Sequence, residues 1–146
     1  MIRWWFRVYV SPSGRSDVQD CLDALDVAGQ VKFDVEVKYL AVALLSEWHE
    51  PRARKLSGYK GLYEIRFKAG KVQQRPIGFF GPGSDEFTIL VWATHKQNVY
   101  KPPKALDTAS ARRKAVLEGA AGTSPLTIDG EEVPTDDESD RAPSLR

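Results

Sequence analysis

The sequence has few of the residues and segments that build covalent cross-links or membrane spans. It contains one cysteine, which excludes an internal disulfide and a cysteine-rich zinc site. Its longest apolar run, residues 39–45, is far shorter than the roughly 20 residues that cross a bilayer. Residues 1–10 have neither the length nor the small-residue cleavage site of a signal peptide. The sequence therefore predicts a cytoplasmic protein that has no membrane partner and is stabilised by packing.

The lone cysteine, Cys21, lies at an apolar position of a predicted helix. A free cysteine behaves as a small hydrophobic residue and is among the residue types most often buried. We therefore expect a buried, unreactive thiol at this position.

The charges are distributed unevenly along the chain. The net charge is only +1, but residues 119–146 contain seven acids and two bases, so that residues 1–118 carry +6. A basic body indicates a polyanionic partner. Residues 119–146 also have few core-forming side chains, which predicts a flexible acidic tail. The length and the hydrophobic share of 42% are typical of one domain, here residues 1–118.

The first half of the chain predicts a strand, a helix and an ambiguous segment. Residues 4–10 alternate in hydrophobicity as a strand does, and Ser16 begins a helix with a capping-box pattern. Residues 31–37 also alternate, whereas residues 37–48 have helical spacing. These residues alone leave the first half of that segment undecided. Residues 50–61 are rich in bases and helix breakers and predict a loop.

The second half predicts an antiparallel meander and a final helix. Residues 62–80 form the strongest hairpin signal, with Gly70 available for the turn. Residues 87–94 are almost continuously apolar, as in a strand that is buried on both faces. Two adjacent prolines suit the start of a helix after residue 101, and Gly119 ends it.

Two arginines, Arg66 and Arg75, lie inside the strands of the predicted hairpin. Because side chains alternate along a strand, Glu64 shares the face of Arg66, and Ile77 shares the face of Arg75. If the arginines share one face of the sheet, the hairpin is the floor of a phosphate site. If they point to opposite faces, only one of them can serve, and Arg75 is the stronger candidate.

Four strings of the sequence carry a family resemblance: RVYVSPSGRSDVQDCLDAL, KLSGYKGLYEIRF, RPIGFF and ATHKQNVYKPPKA. Together they resemble the phage-derived, HigB-like toxins of the RelE/ParE superfamily of type II toxin–antitoxin systems. The resemblance covers about residues 3–118. It is strongest at GLYEIRF and at the lysine-containing run after the last strand, and it is absent from the acidic tail.

The resemblance implies an α+β fold of the RelE-like kind. An N-terminal strand and two helices would pack on a twisted antiparallel sheet, with a C-terminal helix. Since family members are helical in the ambiguous segment, residues 31–48 are expected to form a helix. Tertiary packing would then override the preference of the alternating valines for a strand.

The resemblance also implies an activity and partners. Most RelE-like and HigB-like members cleave messenger RNA, commonly on the ribosome, without a metal or another cofactor. Such a toxin pairs with a small antitoxin, typically a helix-turn-helix protein that represses its own operon. The expected partners are therefore messenger RNA, the ribosome and a cognate antitoxin.

The resemblance gives roles to individual residues. Arg75 would stabilise the transition state, and Arg66 would bind the phosphate or assist the base. Tyr100 is the first candidate for the base and His95 the second. Five further basic residues are expected to contact or attract RNA: Lys96, Lys101, Lys104, Arg112 and Arg113. The last three would lie on a solvated face of the final helix.

Two other functions are compatible with the sequence. A ParE-like toxin has the same fold but inhibits DNA gyrase through protein contacts, without a catalytic set. A noncatalytic relative encoded by a phage or prophage would act as a binding module. In that case the acidic tail could fold back on the basic face and imitate RNA.

Overall fold

A sheet covered on both faces organises the part of the chain that the structure describes. The structure is a computed structural model and describes residues 1–135. These residues form an α+β fold with three α-helices and a mostly antiparallel sheet. Helices α1 and α2 cover one face of the sheet, and helix α3 covers the other.

The elements follow one another in mixed order. The helices are α1 (Asp17–Asp23), α2 (Val27–Val42) and α3 (Ala105–Leu117), with a short 3-10 helix at Leu45–Glu47. The strands of the main sheet are β1 (Trp5–Val10), β2 (Ala53–Lys55), β3 (Tyr63–Ile65), β4 (Phe67–Ala69), β5 (Val72–Phe80), β6 (Glu86–Lys96), β7 (Val99–Lys101) and β8 (Gly122–Pro125). A separate hairpin consists of β9 (Thr127–Ile128) and β10 (Glu131–Glu132).

The strand order of the main sheet is β2-β3-β5-β6-β1-β8, with β4 beside β5 and β7 beside β6. The predicted meander is confirmed, since β5 pairs antiparallel with β3, β4 and β6. The sheet is not antiparallel throughout, because β1 runs parallel to β6. The N-terminal strand therefore lies beside the last strand of the meander and extends the sheet on that side.

Each face of the sheet has its own hydrophobic core. Phe33, Phe87 and Trp92 belong to the core under α1 and α2. Ile77 and Ala109 belong to the core under α3. Residues 87–93 of β6 are all buried, as their continuous hydrophobicity predicts. Burying one large apolar side chain contributes about 1.5–3 kcal/mol, so these strands stabilise the whole domain.

Both N-terminal helices begin at a polar cap. The Ser16 hydroxyl accepts a hydrogen bond from the Gln19 amide at 3.2 Å, as the capping-box pattern predicts. The Asp26 carboxylate accepts one from the Gly29 amide at 2.7 Å. Helix α2 includes most of the ambiguous segment, so the helical expectation is confirmed up to Val42.

Two features of this region differ from expectation. The helix ends at Val42 instead of residue 48, because Ala43 is extended at ψ 148. Cys21 is exposed, so the prediction of a buried thiol is wrong. Helix α1 buries Val18 and Leu22, four residues apart, and Cys21 falls beside that buried stripe.

The prediction that a flexible tail begins at residue 119 is wrong for the described residues 120–135. Strand β8 pairs antiparallel with β1, and Leu126 is fully buried in the core under α1 and α2. The side-chain amide of Gln19 donates to the Thr127 carbonyl at 2.8 Å and accepts from the Thr127 backbone amide at 3.1 Å. The folded domain therefore extends past residue 118. Four of the tail's acids, Asp136, Asp137, Glu138 and Asp140, lie outside the described residues.

Two further short strands, one before and one after the meander, also occupy segments that were not predicted as strands. Residues 53–55 form β2 within the predicted basic loop, and residues 99–101 form β7 after the meander. Within residues 1–135, the helices are all too short or too polar to cross a membrane.

The burial of Leu126 can be tested by truncating its side chain. Leu126→Ala is expected to lower the free energy of unfolding by about 2–5 kcal/mol, because it opens a cavity in the core. Leu117→Ala is the control, since Leu117 is exposed on α3, and it should change stability by about 0.5 kcal/mol or less. Urea denaturation followed by circular dichroism measures both. Equal, small effects would show that residues after 118 do not belong to the core.

Candidate active site

Four polar side chains meet on the face of the sheet that α3 covers: Glu64, Arg66, Arg75 and Tyr100. Arg75 lies opposite Ala93 in the β5–β6 register, and Glu64 lies opposite Ile77 in the β3–β5 register. Ala93 and Ile77 both belong to the α3-side core. The two hairpin arginines therefore share one face, which settles the alternative left open by the sequence.

Glu64 is the centre of this cluster. The residue is only 2% exposed. One carboxylate oxygen accepts a hydrogen bond from the Tyr100 hydroxyl at 2.5 Å. The other lies 3.4 Å from Nε of Arg66 and 3.9 Å from Nε of Arg75. A buried carboxylate is costly unless charges and donors compensate it, and here two guanidinium groups and a phenol do so.

Arg75 is held rigidly from several directions. Its Nη1 donates to the Gln74 carbonyl at 2.8 Å, and its Nη2 donates to the Gln73 side chain at 3.2 Å. Burial, followed by repulsion from Arg66, lowers the pKa of Arg75 from its usual value. Its guanidinium is thus a fixed donor group in a largely buried position, with little freedom left to lose on binding an anion.

Arg66 lies at the boundary of the cluster with solvent. It separates β3 from β4, and its amide donates to the Arg52 carbonyl at 2.8 Å. Its Nη1 pairs with the exposed carboxylate of Glu50 at 3.0 Å. A cleft of about 390 Å³ lies here and is lined by Arg66, Arg75, Gln73 and Glu50, among others. This cleft gives the arginine pair an opening to solvent.

Tyr100 and His95 are paired residues of β7 and β6, and their ring centroids are 4.9 Å apart. Burial, followed by the hydrogen bond to Glu64, raises the pKa of Tyr100. The phenol therefore keeps its proton and donates it to the Glu64 carboxylate. Tyr100 can take up a proton from a substrate only if it passes its own proton to Glu64.

The predicted RNA-binding lysines are not brought into this cluster. Since side chains alternate along strands, Lys96 and Lys101 point to the face opposite that of His95 and Tyr100. Lys104 is exposed at the N-cap of α3. These three residues contribute positive charge around the site without lining it.

Arg112 and Arg113 do not form the expected solvated face of α3. Arg112 makes two hydrogen bonds of 2.8 Å to the Asp17 carboxylate, one of 2.9 Å to the Leu90 carbonyl, and covers the ring of Tyr9. Arg113 lies over the ring of Phe79 at 5.5 Å. Their RNA-binding role remains a prediction, but both side chains already serve the packing of α3.

Glu64 is the residue that sequence reasoning missed as a site residue. Strand alternation places it on the face of Arg66, two residues away, and that was the available signal. Its hydrogen bond to Tyr100 joins residues 36 positions apart, so the sequence could not show it. A charged residue is almost never fully buried unless it is paired, so the burial of Glu64 depends on partners that its local sequence does not identify.

The described residues do not provide a ligand set for a bound metal ion. Among residues 1–135, His, Cys, Asp and Glu side chains form no group of three or more that could hold a metal ion. The cluster described above has a single acid, Glu64, and its other members are two cations and a phenol.

The chain was compared with protein-family models, with curated proteins and with solved structures, and none of these comparisons found a match. The resemblance to HigB-like toxins therefore rests on the sequence strings alone.

The Tyr100–Glu64 hydrogen bond predicts a pH dependence of stability. Since the pKa of Tyr100 is raised above the value of about 10 in an unfolded chain, its stabilising effect is full below pH 10 and is lost as the pH rises further. Tyr100→Phe should lower the free energy of unfolding at pH 8 by about 1.5–3 kcal/mol, as for a hydrogen bond to a charged group. The difference from wild type should shrink above pH 10.

Urea denaturation at pH 8, 9, 10 and 11 measures this difference. Tyr39→Phe is the control, because Tyr39 is exposed on α2. A difference that stays constant with pH would show that the phenol proton does not stabilise the fold.

Proposed function

We propose that this protein is a HigB-like toxin with a RelE-like fold, which cleaves messenger RNA without a metal ion. The observation that carries the proposal is the cluster of Arg66, Arg75, Glu64 and Tyr100, whose two arginines line one cleft. The sequence strings that resemble this family include three of these four residues in or beside their strongest matches. The α+β fold with its antiparallel meander is compatible with that resemblance.

The proposed reaction is an internal transesterification. The 2′-hydroxyl of a nucleotide attacks the adjacent phosphorus, the bond to the 5′-oxygen breaks, and the products carry a cyclic phosphate and a 5′-hydroxyl. The reaction needs cations for the charge that builds up on the phosphate, a base for the 2′-proton and an acid for the leaving oxygen. The cluster and the neighbouring His95 together offer a group for each need.

The arginines would bind the phosphate. Arg75 is fixed by three neighbours, so its donors are preorganised for the phosphate oxygens in the transition state. Arg66 is paired with Glu50, whose carboxylate is mostly exposed, and such surface pairs are weak. An incoming phosphate can therefore replace Glu50 on Arg66 while Glu64 continues to hold the arginine from the other side.

Tyr100 and Glu64 would take the 2′-proton together. As the 2′-oxygen attacks, its proton moves to the Tyr100 oxygen, and the original phenol proton moves to the Glu64 carboxylate. This relay removes the difficulty that the raised pKa of Tyr100 poses for a base acting alone. His95, in ring contact with Tyr100, would donate a proton to the leaving 5′-oxygen, since histidine is the side chain that most often acts as a general acid.

The biological setting of the proposal comes from the resemblance to HigB-like toxins. The substrate is translated messenger RNA in the cytoplasm, with the ribosome as the site of action. A small helix-turn-helix antitoxin would neutralise the protein. The exposed lysines Lys96, Lys101 and Lys104 would add sequence-independent attraction to the RNA backbone.

The nuclease proposal predicts graded losses in purified variants. Arg75→Ala should reduce the cleavage rate about 10²–10³-fold, because it removes a preorganised donor from the transition state. Glu64→Gln and Tyr100→Phe should each reduce it about 10²-fold or more, because either change interrupts the relay. Arg15→Ala is the control, since Arg15 is exposed in the loop before α1, and it should cleave as wild type does. The assay uses a labelled messenger RNA with ribosomes, in the presence of EDTA.

Two chemical controls define the mechanism. A 2′-deoxynucleotide at the cleavage site should block the reaction, and the upstream product should end in a cyclic phosphate. Cleavage that requires a divalent ion, or that proceeds past the deoxynucleotide, would contradict the proposed reaction.

A cellular experiment separates the nuclease from the gyrase inhibitor. Induction of wild type should create new 5′ ends within translated frames, and Arg75→Ala should not. Mapping of messenger RNA 5′ ends measures this. Toxicity with intact messages and stalled DNA replication would instead support the ParE-like function.

A further inference from the structure

Helix α2 carries an exposed apolar stripe, in which the guanidinium of Arg52 covers the ring of Tyr39 at 4.0 Å from the ring centroid. Val27, Val31, Val35 and Tyr39 recur every four residues and are between 46% and 77% exposed. Val42 continues the stripe at the end of the helix and is half exposed. The opposite side of the helix is fully buried, so the stripe is additional to the face that packs on the sheet. A contiguous exposed apolar patch of this kind marks an interaction surface.

A groove runs beside the stripe, between α2 and β4. Its volume is about 450 Å³, and its apolar lining comes from Val31, Val35, Pro51 and Phe67. Phe67 reaches the groove from the sheet, where its ring also contacts Phe33 of the core. The groove thus has a floor anchored in the hydrophobic core and a wall formed by the exposed stripe.

The rim of the groove is basic. Its lining includes four bases and one acid: Lys32, Arg52, Arg66, Lys68 and Glu36. Glu36 and Arg52 neutralise each other, since both Glu36 oxygens lie 3.0 Å from Nη1 of Arg52. Lys32 and Lys68 are exposed on the two sides of the groove. The surface therefore combines an apolar floor with a positive rim.

We propose that this groove binds an amphipathic helix of another protein, with apolar residues on one face and acidic residues beside it. The stripe extends over residues 27–42, and at 1.5 Å per residue it matches a partner helix of about 15 residues. Helix-in-groove binding uses apolar side chains at helical spacing as anchors, and the groove presents such spacing. Carboxylates beside those anchors would meet Lys32 and Lys68.

A second copy of this chain fits the groove less well. A two-fold contact places the same patch of each subunit against itself. Lys32 and Lys68 of one copy would then face the same two lysines of the other, and like charges across an interface oppose association. An acidic partner removes this repulsion and adds attraction.

The inference is independent of the proposed nuclease function, because no RNA contact enters it. The probe is a fluorescein-labelled synthetic helix of 18 residues, with leucines at positions spaced by three and four and glutamates beside them. Fluorescence anisotropy with the full-length protein should give a dissociation constant in the micromolar range. A matched peptide with lysines in place of the glutamates should bind at least tenfold more weakly.

Variants locate the binding. Val31→Ser combined with Val35→Ser should weaken binding of the acidic peptide at least tenfold, and Lys32→Glu combined with Lys68→Glu should weaken it by a similar factor. Leu117→Ser is the matched control, because Leu117 is as exposed as Val35 but lies on α3, and it should bind as wild type does. Arg75→Ala should also bind normally, which separates this surface from the candidate active site. All of these residues except Arg75 are exposed, and thermal melts verify that each variant folds.

Three outcomes would overturn the proposal. They are equal binding of the acidic and basic peptides, absence of binding, and binding that the valine double variant leaves unchanged. Sedimentation of the protein alone gives a further test. A dimer that the same valine variant abolishes would assign the surface to self-association instead.

Discussion

A buried carboxylate on strand β3, that of Glu64, constrains the polar side chains around it. Glu64 is almost inaccessible to water, and removal of one partner from a buried ion pair typically costs about 3–5 kcal/mol. Its partners come from three places in the chain: the residue between β3 and β4, the middle of β5 and strand β7. The registers of these strands must therefore agree for the charge to be compensated. The same requirement fixes Arg75 and Tyr100 in the positions from which they could act on a phosphate ester.

The candidate active site and the groove on α2 are neighbours. Pro51, Arg66, Phe67 and Lys68 line both the cleft at Arg75 and the groove between α2 and β4. Arg66 lies at the boundary between the cleft and the groove, because β3 ends at the residue before it and β4 begins at the residue after it. An occupant of either surface would therefore alter the electrostatic environment of the other. One arginine thus belongs to two surfaces that are otherwise built from different elements.

The local parts of this fold could be predicted from the sequence, and the parts that depend on distant contacts could not. The cap at Ser16, the turn at Gly70 and the buried strand β6 follow from neighbouring residues alone. Leu126 is one apolar residue in a polar segment, and its burial depends on the pairing of β8 with β1. The alternating valines of α2 resemble a strand locally, but packing against the sheet selects the helix. Within the candidate site, the sequence identified Arg66 and Arg75. It could not identify the role of Glu64, because that role depends on a contact with Tyr100, 36 positions away.

Because it depends on strand β7, the candidate site is expected to open at a lower free energy than the rest of the domain. Strand β7 has three residues and pairs with β6 alone, at the end of that strand beyond its contact with β1. Short segments of this kind open at a lower free energy than the core does. Opening of β7 would withdraw Tyr100 from Glu64 while both hydrophobic cores stay packed. On heating, the contact between Tyr100 and Glu64 should therefore be lost before the secondary structure melts, and disassembly of the candidate site would be a local event.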